Sequence, residues 1–431
     1  MSKKSEIDDM IFNSLFKGYS NKKKVVKEIK STFNKTFVPI IKMSQIKKTL
    51  PYEYCKDSKS FGLHIGQRKL LLGEVQFLTY NKQPYCIYPG AAPGHKTHFL
   101  SLLFPDIKFI LIDPNIFEIV LTNKNISFRK EKHPDIVMLY NHYPTQSNTY
   151  DKNKNIEEMN DKEVDKLIEF INNTNYKIYI IENYMTQKLS ELLKKLGKCS
   201  FIEDIRSNVT LKAPVDFDIV WNRSMVHNWI SVLKPEVSMV KFRIPYFNAK
   251  ENLNDYTFSK DDFDLSKSFG VDFVADYDNG EFKMSKSELY LQTWGGENTS
   301  EMRGWIYKKN INKIISYKLK IIEGKLFYYN KVLRVTYHTN PYTIKSLHLC
   351  NCNDCCIETK IWMDYIDVTK SKNTLSYFIK LADTLTSRPL KNKHNNVIYE
   401  PLTQDYFIKL ANNKNNSTEY KGQERRGNKG Q

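Results

Sequence analysis

No stretch of this 431-residue chain approaches the roughly 18 consecutive apolar residues that a membrane-spanning helix needs. The N-terminus, MSKKSEIDDM, lacks the apolar core of a secretory signal. A soluble, intracellular protein without a membrane partner is therefore expected. Cysteine is scarce, with 7 residues in all, and Cys55, Cys86 and Cys199 lie far apart, which argues against a disulfide framework and suits reduced thiols. The other four crowd together as Cys350, Cys352, Cys355 and Cys356, with His348 just upstream. Thiolates that dense could hold zinc, but no second C-x-x-C pair follows at finger spacing, so unligated thiols in a late loop are expected and no metal site is assigned. Phosphate-cradling frames are missing as well. The main glycine turn follows neither the GxGxxG nor the GxxxxGK[ST] pattern, so a pyrophosphate is not the expected ligand.

What the chain has in excess is positive charge. Its 66 Lys and Arg against 48 Asp and Glu leave a formal +18. Such a surplus favours a polyanionic partner such as nucleic acid; a generally Lys-rich soluble surface is the plainer alternative. The length fits one main domain with additions.

The most informative segment is Tyr85 to Asp113, YCIYPGAAPGHKTHFLSLLFPDIKFILID. It has the order strand, glycine turn, helix, strand, carboxylate. Gly90 and Gly94 let backbone approach a ligand closely, the helix start offers free N–H groups, and Asp113 stands where an acidic side chain commonly holds ribose hydroxyls. A nucleoside with an amino-acid tail, such as S-adenosylmethionine, fits these needs without a phosphate cradle. An ordinary βαβ turn is the competing reading.

Periodicity extends this pattern. A helix is expected within 61–80, strands at Ile87 and at 109–112, and a helix between them through Phe99 to Leu103. Beyond a polar 121–176 insertion with one apolar run at Ile136 to Leu139, strands are expected at 178–181, 201–205 and 237–244, with helices at 189–196 and 219–233. The alternation predicts an α/β fold, a mainly parallel sheet with helices on both faces. Asp113, Asp204 and Lys241 fall at or near strand carboxyl ends, where such sheets bind ligands.

FGLHIGQRKLLLGE from Phe61, YPGAAPG, LID, FIEDIRS, VKFRIPY, TSEMR and YYNKVLR then resemble, in order and approximate spacing, the poxvirus-type cap-specific mRNA 2′-O-methyltransferases, which double as the regulatory small subunit of the viral poly(A) polymerase. The likeness spans roughly 61 to 334. It implies a Rossmann-like S-adenosylmethionine-dependent methyltransferase fold and a catalytic tetrad of Lys69, Asp204, Lys241 and Glu301. It also implies a cofactor pocket of Gln67, Tyr88, Gly90, Pro93, Gly94 and Asp113, and a cap-stacking ring at Tyr246. Capped mRNA and a poly(A) polymerase catalytic subunit are the implied partners, and the cytoplasm the implied setting. Arg206 and Arg243, beside tetrad positions, are expected to meet RNA phosphates. Tyr52 and Tyr54 are candidates for a second cap ring.

Chemistry gives these residue types a reason. Methyl transfer from a sulfonium to a ribose hydroxyl requires alignment and removal of a proton, for which Lys241 is the expected base. Lys69 would be its neighbouring cation, and Asp204 and Glu301 the compensating acids. Departures from the family pattern stand at Asn115, Asn248 and Asn298. The division expected is an N-terminal arm (1–60), a methyltransferase domain (61–334), a C-terminal extension with the cysteine cluster (335–411) and a disordered basic tail (412–431). The competing function is a non-catalytic RNA-binding processivity subunit, for which basic surface would suffice.

Overall fold

The computed structural model describes residues 24, 27–28, 39–53, 66–122, 126–131, 133–141, 156–206, 216–244, 277–278, 280–296, 299–334 and 353–386. In chain order the strands are β1 (Tyr85–Pro89), β2 (Lys108–Ile112), the short pair β3 (Val120–Leu121) and β4 (Ile126–Ser127), β5 (Ile136–Asn141), β6 (Ile178–Glu182), β7 (Cys199–Ile202), β8 (Val237–Arg243), β9 (Tyr277–Asp278), β10 (Glu281–Ser285), β11 (Glu288–Tyr290), β12 (Glu301–Tyr307) and β13 (Ile314–Lys318). The helices used below are α1 (Gly66–Tyr80), α2 (Thr97–Leu103), α3 (Asp161–Asn173), α4 (Gln187–Lys194), α5 (Asp216–Leu233), α6 (Leu319–Tyr328), α7 (Asn353–Thr369) and α8 (Leu375–Thr386).

Eight strands form one sheet in the order β11-β12-β8-β7-β1-β2-β6-β5. From β8 to β5 all pairings are parallel, while β12 and β11 extend the sheet antiparallel. This is the α/β, mainly parallel sheet that the alternation predicts, consistent with a Rossmann-like methyltransferase fold. Its central strands must be apolar on both sides because both faces are covered. In β6 all five residues, IYIIE, are buried. Ile110, Ile112, Tyr179 and Ile181 join one core, and Phe109, Leu111, Ile178 and Ile180 the other, as the two-residue period of a strand requires.

Helices α3, α4 and α5 cover the first core, and α1, α2, α7 and α8 the second. Local chemistry sets their ends. Asn160 accepts from Glu163 N–H at 3.1 Å while Glu163 accepts from Asn160 N–H at 2.8 Å, a reciprocal cap on α3. Its apolar residues Val164, Leu167, Ile168 and Ile171 recur at helical spacing and are buried. Thr186 caps α4 through Leu189 N–H at 3.1 Å.

Two expectations need correction. The 121–176 stretch, expected as an insertion, supplies the edge strand β5 and the covering helix α3, because its short apolar run pairs with β6 over Ile136 to Asn141. Cys355 and Cys356, expected in a late loop, lie buried in α7, whose Ile357, Ile361, Trp362 and Tyr365 form an apolar stripe against the second core. Cys350, Cys352, Tyr54, Tyr246, Asn248, Asn298 and the 412–431 tail lie outside the described residues. Among the described residues no helix is long and apolar enough to cross a membrane.

The chain leaves β1 toward β2 on one side, and after β6 it crosses to β7 on the other. The carboxyl ends of β1 and β7 therefore meet at the point where the sheet changes direction, the usual ligand crevice of such folds. Gly90 closes that point. Its φ is +76°, and a Cβ there would stand 2.5 Å from Ile205 N and 2.6 Å from the Asp204 carbonyl carbon. Asp204 N–H in turn donates to Pro89 O at 3.2 Å.

Gly197 has a similar φ of +87° but nothing within 4 Å of a Cβ, so it separates conformational cost from steric cost. Gly197→Ala should lower stability by about 1–2 kcal/mol, the cost of a left-handed residue. Gly90→Ala should cost clearly more, since backbone must move. Urea midpoints measure both, and equal losses would contradict the close crossing.

Candidate active site

The four residues expected as a tetrad come from four separate elements. Lys69 lies in the first turn of α1, Asp204 two residues past β7, Lys241 in β8, and Glu301 at the start of β12. The structure brings all four together in two ion pairs. Lys69 Nζ stands 2.6 Å from Glu301 Oε1, and Lys241 Nζ 2.9 Å from Asp204 Oδ1.

A fifth residue, absent from the sequence-based assignment, joins the pairs. Arg303 Nη2 lies 2.9 Å from Asp204 Oδ1 and 3.5 Å from Glu301 Oε1, and its Nη1 donates to Glu203 O at 3.1 Å. Strand register explains its place. Arg303 sits directly opposite Lys241, and Glu301 opposite Arg243, so alternation puts all four on one face of the β8–β12 ladder. The i, i+2 spacing of Glu301 and Arg303 in EMRGW was the available signal. Gln292, in the amide orientation that satisfies both neighbours, donates to Glu301 Oε1 at 3.1 Å and accepts from Arg303 Nε at 2.8 Å.

Burial and charge pull these groups in opposite directions. Burial raises the carboxyl pKa of Asp204, but Lys241, then Arg303 and Lys69, outweigh it and hold the group well below the usual carboxylate range. Burial also raises Glu301, yet Lys69, Arg303 and Lys241 bring it down to about 2. Lys69 is lowered, chiefly by burial and further by Arg303, against the pull of Glu301 and Asp204. Arg303 is raised despite burial, because Asp204 and Glu301 flank it. The cluster is thus two anions held among three cations.

Lys241 is fixed from two more sides: its Nζ donates to Ile205 O at 3.3 Å and Asp204 O at 3.5 Å. Its own N–H donates to buried Glu203 at 3.0 Å, and the other oxygen of Glu203 accepts from Ile205 N–H at 2.9 Å, tying the β7 end to β8. Beside it opens a pocket whose lining includes Ile205, Arg206, Arg223, Lys241 and Arg243. Arg206 and Arg243, expected at RNA phosphates, both line it. Arg223, on α5, was missed: its Nε is buried with no hydrogen-bond partner, and its guanidinium lies 5.6 Å from the Phe242 ring. Burial lowers its pKa to about 10 against the pull of Glu203.

The residues expected around a cofactor lie on the neighbouring side of the crevice. Asp113 follows β2, and its oxygens accept from Ala92 N–H (3.2 Å), Asn115 N–H (2.9 Å) and Asn115 Nδ2 (2.9 Å). These bonds oppose burial, which raises its pKa. Tyr88, at the end of β1, donates to Glu74 Oε1 at 2.6 Å, and Lys96 Nζ lies 3.0 Å from the same oxygen. Glu74, buried and raised by burial, keeps Oε2 without a partner. Pro93 follows a cis peptide bond, and Gly94 has a φ of +69°. Gln67 is exposed on the first turn of α1. Tyr52, a candidate cap ring, packs edge-on against Phe327 at 5.6 Å.

Away from this crevice, His98, His133 and Asp135 offer ligand atoms within 4.8 Å of one another. Thr122 N–H donates to His98 Nδ1 at 2.9 Å, so the neutral ring carries its proton on Nε2, a poor state for binding a cation there.

No family model matches the chain. A cap-specific mRNA (nucleoside-2′-O-)-methyltransferase of Fowlpox virus (strain NVSL) is 27% identical over 192 residues, covering 42% of this chain and 47% of that protein. Proteins of the same name from Myxoma virus strains Lausanne and Uriarra are each 25% identical over 194 residues, covering 42% of this chain and 43% of theirs. The chain resembles these proteins, and the match spans just under half of their length.

The depressed carboxyls link the cluster to acid stability. Glu301, held near 2 against 4.5 unfolded, contributes stability that is fully present above about pH 4.5 and lost as pH falls toward 2. Thermal midpoints should fall over that window, and Glu301→Gln should flatten the fall. An unchanged slope would contradict the pairing.

Proposed function

We propose that this chain is an S-adenosylmethionine-dependent methyltransferase that methylates the ribose 2′-hydroxyl of the first transcribed nucleotide of capped mRNA. One observation carries the reading: Lys69, Glu301, Arg303, Asp204 and Lys241 form one continuous charge-paired cluster at the sheet's crevice, beside the Gly90 crossing. The similarity to the poxvirus enzymes supports it.

The residues present suit the cofactor. Gly90 lets the Asp204 turn cross tightly against the end of β1, the oxygens of Asp113 retain lone pairs for ribose hydroxyls, and Glu74 Oε2 leaves a buried acceptor unmatched. Gly90, Pro93, Gly94, Asp113, Tyr88 and Gln67 would hold it. When bound, it supplies an electrophilic methyl carbon on a sulfonium.

The chain's own residues then have distinct tasks. Lys241 acts as base from its neutral amine form, reached when the ammonium gives a proton to solvent; its lone pair takes the proton of the 2′-hydroxyl, and the backbone oxygens of Ile205 and Asp204 fix its direction. Asp204 Oδ1 is shared with Arg303, which divides the carboxylate's hold on the Lys241 ammonium. Lys69, paired to Glu301, adds positive charge beside the attacking oxygen. Arg206, Arg223 and Arg243 take RNA phosphates in the adjoining pocket, with Arg223 contributing an Nε–H that has no hydrogen-bond partner among the described residues.

That basic pocket also favours RNA binding in its own right, as a processivity subunit would need. A poly(A) polymerase partner, a cap ring at Tyr246 and a cytoplasmic setting rest on the resemblance alone.

Two substitutions test these roles. Lys241→Arg keeps the charge but cannot act as a base, so methyl transfer to short capped RNA should fall by about 10²-fold or more while cofactor affinity stays within a few-fold. Retained turnover would sink the base assignment. Arg223→Met should weaken capped-RNA binding and reduce its salt dependence by roughly one phosphate contact, leaving cofactor binding unchanged. Filter binding over a salt series measures this, and an unaltered salt slope would remove Arg223 from the RNA path.

A further inference from the structure

The helix pair α7 and α8 lies beyond the 61–334 stretch that carries the family resemblance, yet it reaches the candidate active site through one buried carboxylate. Glu358, on α7, is completely buried. It accepts from Arg68 Nε at 2.9 Å, pairs its second oxygen with Arg68 Nη2, and accepts from Trp294 Nε1 at 2.9 Å. Arg68 also donates to Thr386 Oγ1 of α8 at 3.2 Å.

Each residue that Glu358 holds is one position along the chain from a residue of the Lys69 surroundings. Arg68 directly precedes Lys69 in α1. Trp294 precedes Gly295, whose Cβ, if present, would be 3.9 Å from Lys69 Cδ. Trp294 also adopts a φ of +57°, a left-handed conformation that costs a non-glycine residue about 1–2 kcal/mol and persists only where its surroundings enforce it. The indole bond to Glu358 is such a restraint. A second link runs in parallel: Thr293 Oγ1 donates to Asp354 O of α7 at 3.2 Å. Gln292, just before it, touches Glu301 and Arg303.

We propose that Glu358 is a positioning residue for Lys69, and that the C-terminal helix pair is thereby part of the active-site framework. Its carboxylate ties the start of α1 at Arg68 to the turn at Trp294 that leads into Gly295 beside the Lys69 stem, and so sets the Lys69–Glu301 pair. The proposal rests on the methyl-transfer reading for its catalytic consequence, but not for its geometry.

A buried ion pair also contributes to folding, so the test must separate position from stability. Glu358→Gln leaves Arg68 facing an amide in place of a carboxylate, and the Arg68→Met/Glu358→Leu double variant replaces the pair by apolar groups, a change that often preserves stability. Competitive acetylation of Lys69, read by mass spectrometry on the full chain, reports its shielding without any turnover. The expected result for Glu358→Gln is several-fold faster Lys69 labelling and, with capped RNA, a turnover lower by about 10-fold at Michaelis constants within a few-fold of wild type. The double variant should regain the thermal midpoint without regaining Lys69 protection or turnover. Unchanged Lys69 labelling in Glu358→Gln, or recovery of turnover together with stability in the double variant, would overturn the proposal. A wild-type chain that transfers no methyl group would refute the functional reading, and the labelling comparison would still decide the positioning role.

Discussion

Charge compensation at one spot governs this structure. Three cations and two anions lie largely removed from water, and none of them is tolerable there without the others. Removing one partner of such a pair typically costs about 3–5 kcal/mol, so the elements that deliver the charges are bound to deliver them together. Those elements are distant in sequence: the start of α1, the end of β7, the middle of β8 and the start of β12. The parallel sheet places β7 beside β8, and the antiparallel return of β12 sets Arg303 across from Lys241. Asp204 Oδ1, shared by Lys241 and Arg303, is the atom through which the halves are joined.

Much of this was legible from the amino acids, and for identifiable reasons. The central strands are apolar on both faces, so β1, β2 and β6 announce themselves as short continuous runs. Lys69, Asp204, Lys241 and Glu301 were legible only through motif order, since each alone resembles a solvated surface residue. Arg303 lay two positions from Glu301, visible once the segment is understood as a strand, but no strand had been assigned there. Arg223 sits in a helix whose sequence pattern gives no hint of a buried guanidinium Nε without a hydrogen-bond partner.

Other features were hidden because they depend on distance along the chain. The Arg68–Glu358 pair joins residues 290 positions apart, and nothing near either residue announces the other. The cysteine cluster has the composition of a metal site, yet Cys355 and Cys356 belong to the buried apolar side of α7. In the 121–176 stretch, polar composition masked β5, whose six residues find their place only against β6. These are tertiary overrides of local pattern, and they concentrate at the edges of the sheet and at its C-terminal cover.

The function proposed here makes one demand that no amount of side-chain geometry replaces, namely the identity of the methylated atom. The most direct measurement is to incubate the full chain with S-adenosylmethionine labelled in its methyl group and a short capped transcript, digest the RNA with nucleases, and locate the label. The proposed function predicts label on the ribose 2′-oxygen of the first transcribed nucleotide, with none on uncapped transcript. Label on a base, or no transfer to capped RNA at all, would contradict it.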